Sequence, residues 1–289
     1  MGLPLDRICK QVCSLAEETG AFLQNQRGKI TSSHIEIKSM NSFVTYVDKE
    51  SEKRLVKGLK KILPEAGFIT EEKTIANERK KYTWIIDPLD GTTNFIHGVP
   101  CYCISIGLYL SPSGGGSLPA HASRQAGGKA GGRNDGEIIL GVIYEPNLDE
   151  MFSAVKGGGA FMNGKRISVT TCSKLQHSLV VTGFPTYDLS RMKQYLNLFS
   201  WFMRRTRGLR RMGSAAVDLA YTACGRFDAF YEYSLSPWDV AAGALIVKEA
   251  GGKVTDFSGG NDFLFGKEII ASNRKIHKEM LRPVKKFFR

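Results

Sequence analysis

The stretch Trp84-Ile85-Ile86-Asp87-Pro88-Leu89-Asp90-Gly91-Thr92-Thr93-Asn94-Phe95 joins an apolar strand pattern to two aspartates that lie three residues apart. Pro88 and Gly91 favour turns, so we expect the chain to turn where the strand ends. Such a turn directs both carboxylates and the Leu89 carbonyl towards one point. The backbone N–H groups after Gly91 can then begin a short helix, whose N-terminus is a potential anion-binding site.

Two interpretations of this stretch stay open when it is read alone. Hard oxygen ligands beside a helix N-terminus suit a Mg²⁺ ion that bridges to a phosphate. A plain turn is equally compatible, because Asp-Pro and Asp-Gly are common turn dipeptides. Two distant motifs favour the metal site: Glu71-Glu72 ends the preceding strand candidate, and Asp239 begins a helix after Pro237-Trp238. Their alternatives are a solvated strand end for Glu71 and a helix cap for Asp239.

The composition is that of an ordinary globular protein. The chain has 289 residues, of which 42% are hydrophobic and 24% charged, and its formal net charge is +12. Its length fits one large or two medium domains. Six scattered cysteines without a C-x-x-C pair argue against a zinc site or a disulfide framework. Because no apolar run reaches the roughly 18 to 20 residues of a membrane span and no secretion signal is present, we expect a cytoplasmic protein without a membrane partner.

Positive charge is concentrated in two C-terminal stretches. Residues 191–211 contain seven Lys or Arg and no acidic residue, and residues 274–289 contain seven against one Glu. Such a surface can attract nucleic acid, membrane headgroups or a phosphorylated substrate, or it can be the solvated face of two helices. A nucleic-acid or ribonucleoprotein-binding role therefore stays open, although no recognition-helix, RNA-recognition or zinc-finger motif supports it.

Hydrophobic periodicity predicts strands and helices along the whole chain. Helices are predicted over 5–27, from a cap at Asp48 to residue 63, and over 189–206, 214–224, 238–250 and 274–287. Extended structure is predicted over 35–47, and strands over 68–71, 82–86, 101–110, 138–144, 151–155, 228–233 and 268–271, with a short strand after 250.

The order of these elements predicts two subdomains. An N-terminal α+β subdomain, residues 1–182, carries most candidate ligands, and a C-terminal α/β subdomain, residues 183–289, carries Asp239 and candidate substrate contacts. Residues 111–135 are rich in Gly, Ala and Ser and nearly lack large apolar residues. We therefore expect a flexible insertion there, since it cannot bury enough surface to offset its ordering entropy.

The motifs together resemble the inositol monophosphatase family. The resemblance rests on Asp87-Pro-Leu-Asp-Gly-Thr92, the preceding Glu71-Glu72, Trp238-Asp-Val-Ala-Ala-Gly243 and Glu249-Ala-Gly-Gly-Lys-Val-Thr-Asp256. The segments 182–185 and 211–220 are similar to bacterial inositol-1-monophosphatases in particular. The similarity extends over about residues 38–273, and the 111–135 insertion is its main departure from the family.

The resemblance implies a fold and an activity. The fold would be a layered αβαβα sandwich of the sugar-phosphatase type, of the α+β or α/β class, with the active site between two subdomains. The activity would be hydrolysis of myo-inositol 1-phosphate or a related polyol or sugar phosphate by metal-activated water. The alternative is a fructose-1,6-bisphosphatase or another phosphatase of the same superfamily. The family also suggests a homodimer and, in many members, lithium inhibition.

The resemblance assigns two to three Mg²⁺ ions to one set of oxygen ligands. These ligands are Glu71, Asp87, the Leu89 carbonyl, Asp90 and Asp239. Glu71, Asp87 and Leu89 would hold the first ion, and Asp87, Asp90 and Asp239 the second. A third, weaker ion would depend on Glu71.

Catalytic and substrate-binding residues also follow from the resemblance. Asp48 and Thr92 match the pair that orients or deprotonates the attacking water, with Glu71 assisting. The matched substrate-binding positions are Gly91, Thr92, Gly213, Ser214, Ala215, Glu232 and Asp239. Ser214 departs from the Thr that is common in the family, although it keeps the hydroxyl. Glu232 has the alternative of an exposed strand residue.

Overall fold

The computed structural model describes residues 2–31, 34–39, 42–111, 136–185 and 188–288. Apart from Ser111, the predicted flexible insertion at 111–135 lies outside the described residues. The helices are α1 (Leu5–Gln26), α2 (Tyr46–Ile62), α3 (Thr92–Ile96), α4 (Met192–Met203), α5 (Ala215–Ala223), α6 (Pro237–Glu249) and α7 (His277–Phe287). The strands are β1 (Ile35–Ser39), β2 (Ser42–Thr45), β3 (Gly67–Thr70), β4 (Tyr82–Asp90), β5 (Cys103–Leu110), β6 (Glu137–Glu145), β7 (Glu150–Val155), β8 (Gly159–Met162), β9 (Lys165–Arg166), β10 (Leu179–Thr182), β11 (Gly208–Arg210), β12 (Ala229–Tyr233), β13 (Lys253–Thr255) and β14 (Glu268–Ser272).

Two large sheets and one short strand pair are present in the described ranges. The larger sheet has the order β3-β4-β5-β6-β7-β8-β9 and is antiparallel except between β3 and β4. The smaller sheet has the order β11-β10-β12-β14-β13 and is mixed. Strands β1 and β2 form a separate antiparallel pair.

Helices and sheets alternate in five layers. Successive residues of a strand point to opposite faces, and β4 accordingly places Trp84 against α1 and α2 and Ile85 against α5 and α6. Helices α5 and α6 therefore lie between the two sheets. Helices α4 and α7 cover the far face of the smaller sheet, where Leu198 and Met280 share a core cluster with Tyr231 of β12. The predicted αβαβα layering is confirmed.

Helix α6 lies unusually close to the larger sheet. A Cβ added to Gly107 of β5 would lie 2.9 Å from the Ala241 Cβ, and one added to Gly141 of β6 would lie 2.7 Å from the Ala242 carbonyl oxygen. Any side chain at these two glycines would push the helix outwards. The close packing fixes the position of the first turn of α6 against β5, where the Ser105 hydroxyl donates to the Trp238 carbonyl at 3.2 Å.

Two predicted element boundaries are wrong in ways that matter for the site. Strand β4 does not end at residue 86 but continues to Asp90, and a register irregularity against β5 lies between Asp87 and Asp90. The carboxylates are therefore held by sheet pairing rather than by a free turn. Helix α2 begins at Tyr46, so its N-cap is Thr45, and Asp48 occupies the third helical position of a capping box.

Short strands are the other difference from the sequence prediction. The sequence does not predict β8 to β11, which are only two to four residues long. The helix expected over 189–206 is shorter, since Gly208–Arg210 pairs with β10 as a strand. Strand β10 belongs to the smaller sheet, so the chain changes sheets before Leu179. The division into subdomains at 182/183 stays a prediction.

The longest helix in the described ranges is α1, with 22 residues, and it alternates charged and buried positions. None of the helices in these ranges is both long and apolar enough to cross a membrane. The cytoplasmic location stays a prediction.

His277 is a buried titratable residue far from the candidate site. Its imidazole is 1% exposed and lies between the hydroxyls of Thr255 and Ser272, at 3.0 and 2.8 Å. Burial, together with the charge of Lys253, lowers the pKa of His277 from 6.5 to about 4. The folded protein therefore holds this imidazole neutral at pH values where the unfolded chain protonates it.

Replacing His277 removes this difference in proton uptake. As pH falls from about 6.5 towards 4, the unfolded state gains a proton and the wild type loses about 2 to 3 kcal/mol of stability through this group. His277→Gln keeps a hydrogen-bonding side chain without this titration. In urea unfolding, the stability advantage of wild type over His277→Gln should be smaller by about 2 kcal/mol at pH 4.5 than at pH 7. An advantage that does not change with pH would contradict the assignment.

Candidate active site

Three aspartates from two distant segments converge at one end of the larger sheet. Carboxylate oxygens of Asp87, Asp90 and Asp239 lie within 4.8 Å of one another. Asp87 is buried, and the other two are partly buried. The end of β4 supplies the first two, and the first turn of α6 supplies the third. Such spacing is short enough for the three groups to share one cation or two neighbouring cations.

Asp239 is oriented by the start of its own helix. Ser236 is the N-cap of α6, and its backbone N–H donates to Asp239 Oδ2 at 2.6 Å. Pro237 at the first helical position fixes φ near the helical value. Asp239 is therefore a helix cap, and its role as a site carboxylate stays a prediction that is compatible with the cap, because a carboxylate that caps through one oxygen still has a second oxygen.

Asp90 links β4 to the start of α5. Its Oδ2 accepts from the Ser214 hydroxyl and from the Ala216 backbone N–H, both at 2.7 Å. Ser214 is also the N-cap of α5, where its Oγ accepts from the Val217 N–H at 3.2 Å. The Ser214 hydroxyl is thus engaged in hydrogen bonds with Asp90 and Val217. Gly213 and Ala215 flank it, and contact of this segment with a substrate stays a prediction.

Asp48 and Thr92 form a hydrogen-bonded pair beside the aspartates. Thr92 Oγ1 lies 2.8 Å from Asp48 Oδ1 and 3.0 Å from the Leu89 carbonyl oxygen, so its single proton can be donated to either. The other oxygen of Asp48 accepts from the N–H and the hydroxyl of Thr45, at 2.8 and 2.7 Å. Asp48 is 1% exposed. Its carboxylate is therefore fixed in one orientation towards Thr92.

Gly91 makes the sharp change of direction between β4 and α3. Its φ is +97°, in the region that favours glycine, and a Cβ would lie 3.0 Å from the Cys101 carbonyl oxygen. Helix α3 begins at the next residue, Thr92, as the sequence predicts. Asn94 then donates to the carbonyls of Cys101 and Met212, at 2.7 and 2.9 Å, which ties this turn to the segment before Gly213.

Glu71 follows β3, and a second glutamate that the sequence analysis missed supports its loop. The Glu71 N–H donates to the Ile86 carbonyl at 3.3 Å. Glu52 of α2 is completely buried and accepts from the N–H of Glu72 at 2.7 Å, and from the N–H and hydroxyl of Thr74 at 2.6 and 2.7 Å. The sequence does contain a signal for Glu52: it is a charged residue on the buried face of an amphipathic helix, four residues after Asp48.

Burial and mutual repulsion dominate the electrostatics of the cluster. Burial raises the pKa of Asp87 well above its usual value, and Glu71, Asp90 and Asp239 raise it further. The pKa of Asp239 is raised well above its usual value by burial and then by Asp90 and Glu71. A bound cation would relieve both effects. Carboxylate and carbonyl oxygens are hard ligands, so this donor set fits Mg²⁺ better than a soft metal.

Glu232 lies in β12, on the side of the cluster that faces the smaller sheet. It is 8% exposed, so the alternative of an exposed strand residue is wrong. Burial, followed by the charge of Asp90, raises the pKa of Glu232 to about 8, although Arg211 opposes the shift. A Cβ on Gly183 would lie 2.1 Å from Glu232 Oε2, so a side chain at this position would displace the carboxyl group from where it lies.

Comparison with known proteins links this arrangement to a family of enzymes. The family model described as the inositol monophosphatase family matches residues 5–114 and 132–287. An inositol-1-monophosphatase of Mesorhizobium japonicum is 36% identical over 272 residues, which cover 94% of this chain and 93% of that protein. The Nus factor SuhB of Pseudomonas aeruginosa is 39% identical over 252 residues, covering 86% and 84% of the two chains.

The structural comparison gives the same result. The crystal structure of the extragenic suppressor protein suhB from Bartonella henselae superposes with a TM-score of 0.83. The two sequences are 37% identical, and the alignment covers 96% of this chain and 98% of the other.

The contacts of Glu52 predict a local structural effect of its substitution. Glu52→Gln turns an amide NH₂ towards backbone donors and should cost about 1 to 3 kcal/mol of stability. Hydrogen exchange should quicken at the amides of Glu72 and Thr74. The matched control is Glu50→Gln, because Glu50 forms an exposed ion pair with Arg54 at 3.2 Å. Its substitution should cost less than about 0.5 kcal/mol. Equal effects of the two substitutions would contradict the role of Glu52.

Proposed function

This chain belongs to the inositol monophosphatase family and is a phosphatase, and we propose from this that it hydrolyses myo-inositol 1-phosphate or a related polyol or sugar phosphate with Mg²⁺. The observation that carries the proposal is the convergence of Asp87, Asp90 and Asp239 within 4.8 Å beside a turn that begins a helix. Fructose 1,6-bisphosphate is the alternative substrate within the same superfamily.

The oxygen ligands would divide between two cations. Glu71, Asp87 and the Leu89 carbonyl would hold one ion, and Asp87, Asp90 and Asp239 the second, with a third, weaker ion depending on Glu71. Such cations would polarise the phosphoryl group, activate a water molecule and stabilise the leaving alkoxide. The raised pKa values of Asp87 and Asp239 support cation binding at the cluster, since both carboxylates gain stabilisation when positive charge is present.

The pair formed by Asp48 and Thr92 would receive the proton of the attacking water. Thr92 Oγ1 can donate to Asp48 Oδ1 at 2.8 Å, which leaves oxygen lone pairs to accept a hydrogen bond from water. The water proton would pass to Oγ1 while the Thr92 proton passes to Asp48 Oδ1, with Glu71 assisting. The fixed orientation of the Asp48 carboxylate supports this role.

The substrate would lie between β4, α5 and β12. The backbone N–H groups of Gly91 and Thr92 would bind phosphoryl oxygens. The Gly213–Ala215 segment, Asp239 and Glu232 would bind hydroxyl groups. The Glu232 carboxyl oxygens can accept hydrogen bonds from such hydroxyls.

A second candidate function is nucleic-acid binding by the basic C-terminal surface. The specific observation is that Arg204, Arg205, Arg207, Arg210 and Arg211 are all exposed. In the described part of the chain, none of these five forms a salt bridge. The relative named as a Nus factor lends support to this candidate. It is compatible with phosphatase activity.

A homodimer is also proposed, on the basis of the outer face of α4. Leu196 and Met203, seven residues apart on this helix, are 55% and 60% exposed, and the preceding Leu189 is 43% exposed. Large apolar side chains grouped on one helix face are typical of a protein interface. We propose that this face packs against a second copy of the chain.

Substitution of Asp90 tests the two-cation mechanism. Asp90→Asn keeps an oxygen acceptor for Ser214 and Ala216 and should change stability by at most about 1 kcal/mol. Loss of the negative charge should lower kcat by about 10² to 10⁴, because the charge that holds the second cation is missing.

The measurement is phosphate release from inositol 1-phosphate with Mg²⁺ and with EDTA, beside a melting curve. Asp6→Asn, an exposed position in α1, is the control and should retain normal activity. Near-normal activity of Asp90→Asn would reject the mechanism. If Asp90→Asn lost its folded structure to the same extent as its activity, Asp90 would have a structural role in the turn instead.

Substitution of Leu196 tests the dimer. Leu196→Lys places a charge in the middle of the apolar face and should convert the dimer to a monomer at micromolar concentration, as measured by sedimentation velocity. Asn197→Lys adds the same charge at the next exposed position of α4 and should leave the dimer intact. A wild-type protein that sediments as a monomer would refute the proposal directly.

A further inference from the structure

Two cysteines lie one helical turn apart on the face of α1 that is directed towards β7. Cys9 and Cys13 are four residues apart, and the Cβ atoms of such a pair lie about 5 to 6 Å from each other on one side of a helix. Both side chains are half-buried, at the margin of the core that α1 forms with the larger sheet. None of the roles proposed for the candidate active site uses these thiols.

Both thiols line a surface pocket of about 670 Å³ between α1 and the strands β7 and β8. The charged residues that line the pocket are Asp6, Lys10, Glu17 and Asp149. No residue of the aspartate cluster is among its lining residues. The pocket is therefore a place separate from the candidate active site, and it has room for an ion between the two sulfur atoms.

The two thiols interact with each other and with one hydroxyl of the larger sheet. A hydrogen bond between the two side chains is the main cause that lowers the pKa of Cys9 and raises the pKa of Cys13, so Cys13 is the donor. Burial raises both pKa values, and a hydrogen bond from the Ser153 side chain of β7 lowers both. Two sulfur atoms and one hydroxyl donor thus lie together in the pocket.

The number and type of donors select the class of ligand. Thiolates are soft ligands and favour Cu(I), Zn²⁺ or iron–sulfur clusters. Structural zinc sites and iron–sulfur clusters use about four protein ligands. Within the described ranges, the group of three or more side-chain ligands with donor atoms within 4.8 Å of one another is the aspartate cluster, so the thiol pair is not part of such a group. A pair of thiols by itself suits Cu(I), a soft monovalent cation that two thiolates on opposite sides satisfy.

We propose that Cys9 and Cys13 form a second metal site, which binds one Cu(I) ion between two thiolates. One Cu⁺ replaces two S–H protons, both protons are released to solvent, no electron is transferred, and the bound complex has a net charge of −1. The Ser153 hydroxyl would donate to a sulfur of this complex. Lys10 would lie near its negative charge, since it lines the same pocket. The proposal does not depend on the proposed phosphatase function.

A packing role of the two cysteines is the competing explanation. Half-buried thiols often act as small apolar side chains. Packing alone predicts that serine at either position lowers stability and that no ion is retained at the pocket. Retention of Cu(I) and the number of sulfur atoms around it therefore separate the two explanations.

The experiment is a competition between the reduced protein and the chromophoric Cu(I) chelator bicinchoninate, without oxygen and with a thiol-free reductant. Wild type should retain one Cu(I) ion per chain. Cys9→Ser, Cys13→Ser and the double variant should bind Cu(I) at least about 100-fold more weakly, because loss of a direct ligand costs no less than loss of an outer-shell partner. No retention by wild type would overturn the proposal. Equal retention by wild type and the double variant, which is an adventitious ion only, would overturn it as well.

Cys172→Ser/Cys224→Ser is the matched control for the double variant. It removes two other half-buried free thiols and should leave the Cu(I) affinity within about 2-fold of wild type. Mg²⁺-dependent phosphate release should be the same in wild type and in Cys9→Ser/Cys13→Ser, because neither thiol belongs to the proposed catalytic or binding groups. Failure of the copper site and failure of the proposed function are therefore distinguished.

Two further measurements examine the bound ion itself. X-ray absorption of the copper-loaded wild type should show two sulfur neighbours, and oxygen or nitrogen neighbours alone would overturn the proposal. Calorimetry in two buffers should show release of at least one proton per ion, since the Cys13 thiol is protonated before binding.

The Ser153 hydroxyl has a smaller, separate effect to be measured. Ser153→Ala should weaken Cu(I) binding by about 10-fold, as expected for an outer-shell donor. Ser14→Ala is the control, because Ser14 is an exposed serine that lines the same pocket from α1. It should leave the affinity within about 2-fold of wild type. Equal affinities of the two serine variants would contradict the role given to Ser153.

Discussion

Repulsion between buried carboxylates is the constraint on which the rest of this structure depends. Carboxylate oxygens of Asp87, Asp90 and Asp239 are brought within 4.8 Å of one another. Burial disfavours the charged forms of all three, and neighbouring carboxylates further disfavour those of Asp87 and Asp239. Isolated side chains would move apart. The fold therefore has to oppose the repulsion with packing and hydrogen bonds, and the elements that do so are those that define the architecture.

Both packing and hydrogen bonds oppose the repulsion between the carboxylates. Gly107 and Gly141 let α6 lie against the larger sheet, so that its first turn cannot withdraw from the end of β4. Asp90 is held by two donors from the start of α5, and Asp239 by the backbone of Ser236. Each carboxylate is thus oriented by the protein before any cation binds, which is the arrangement that electrostatic catalysis requires.

The same cleft combines negative and positive charge in separate places. The carboxylates lie deep, at the ends of β4 and α6, where cations and a phosphoryl group would bind. Arg211 lies at the rim beside Phe184, with donors that no carboxylate in the described ranges occupies.

Local sequence determined what kinds of side chains the site has, and tertiary structure determined how they meet. The apolar run into Asp87, the turn at Gly91 and the Pro237-Trp238-Asp239 helix start follow from short-range rules, as does the succession of strands and helices. The resemblance of these motifs to a family gave the layered fold. The buried role of Glu52, the bridge made by Asn94 and the position of Arg211 depend on contacts between residues distant in sequence. A pattern within one segment carries no information about such partners, because burial and charge pairing are set only when the layers pack.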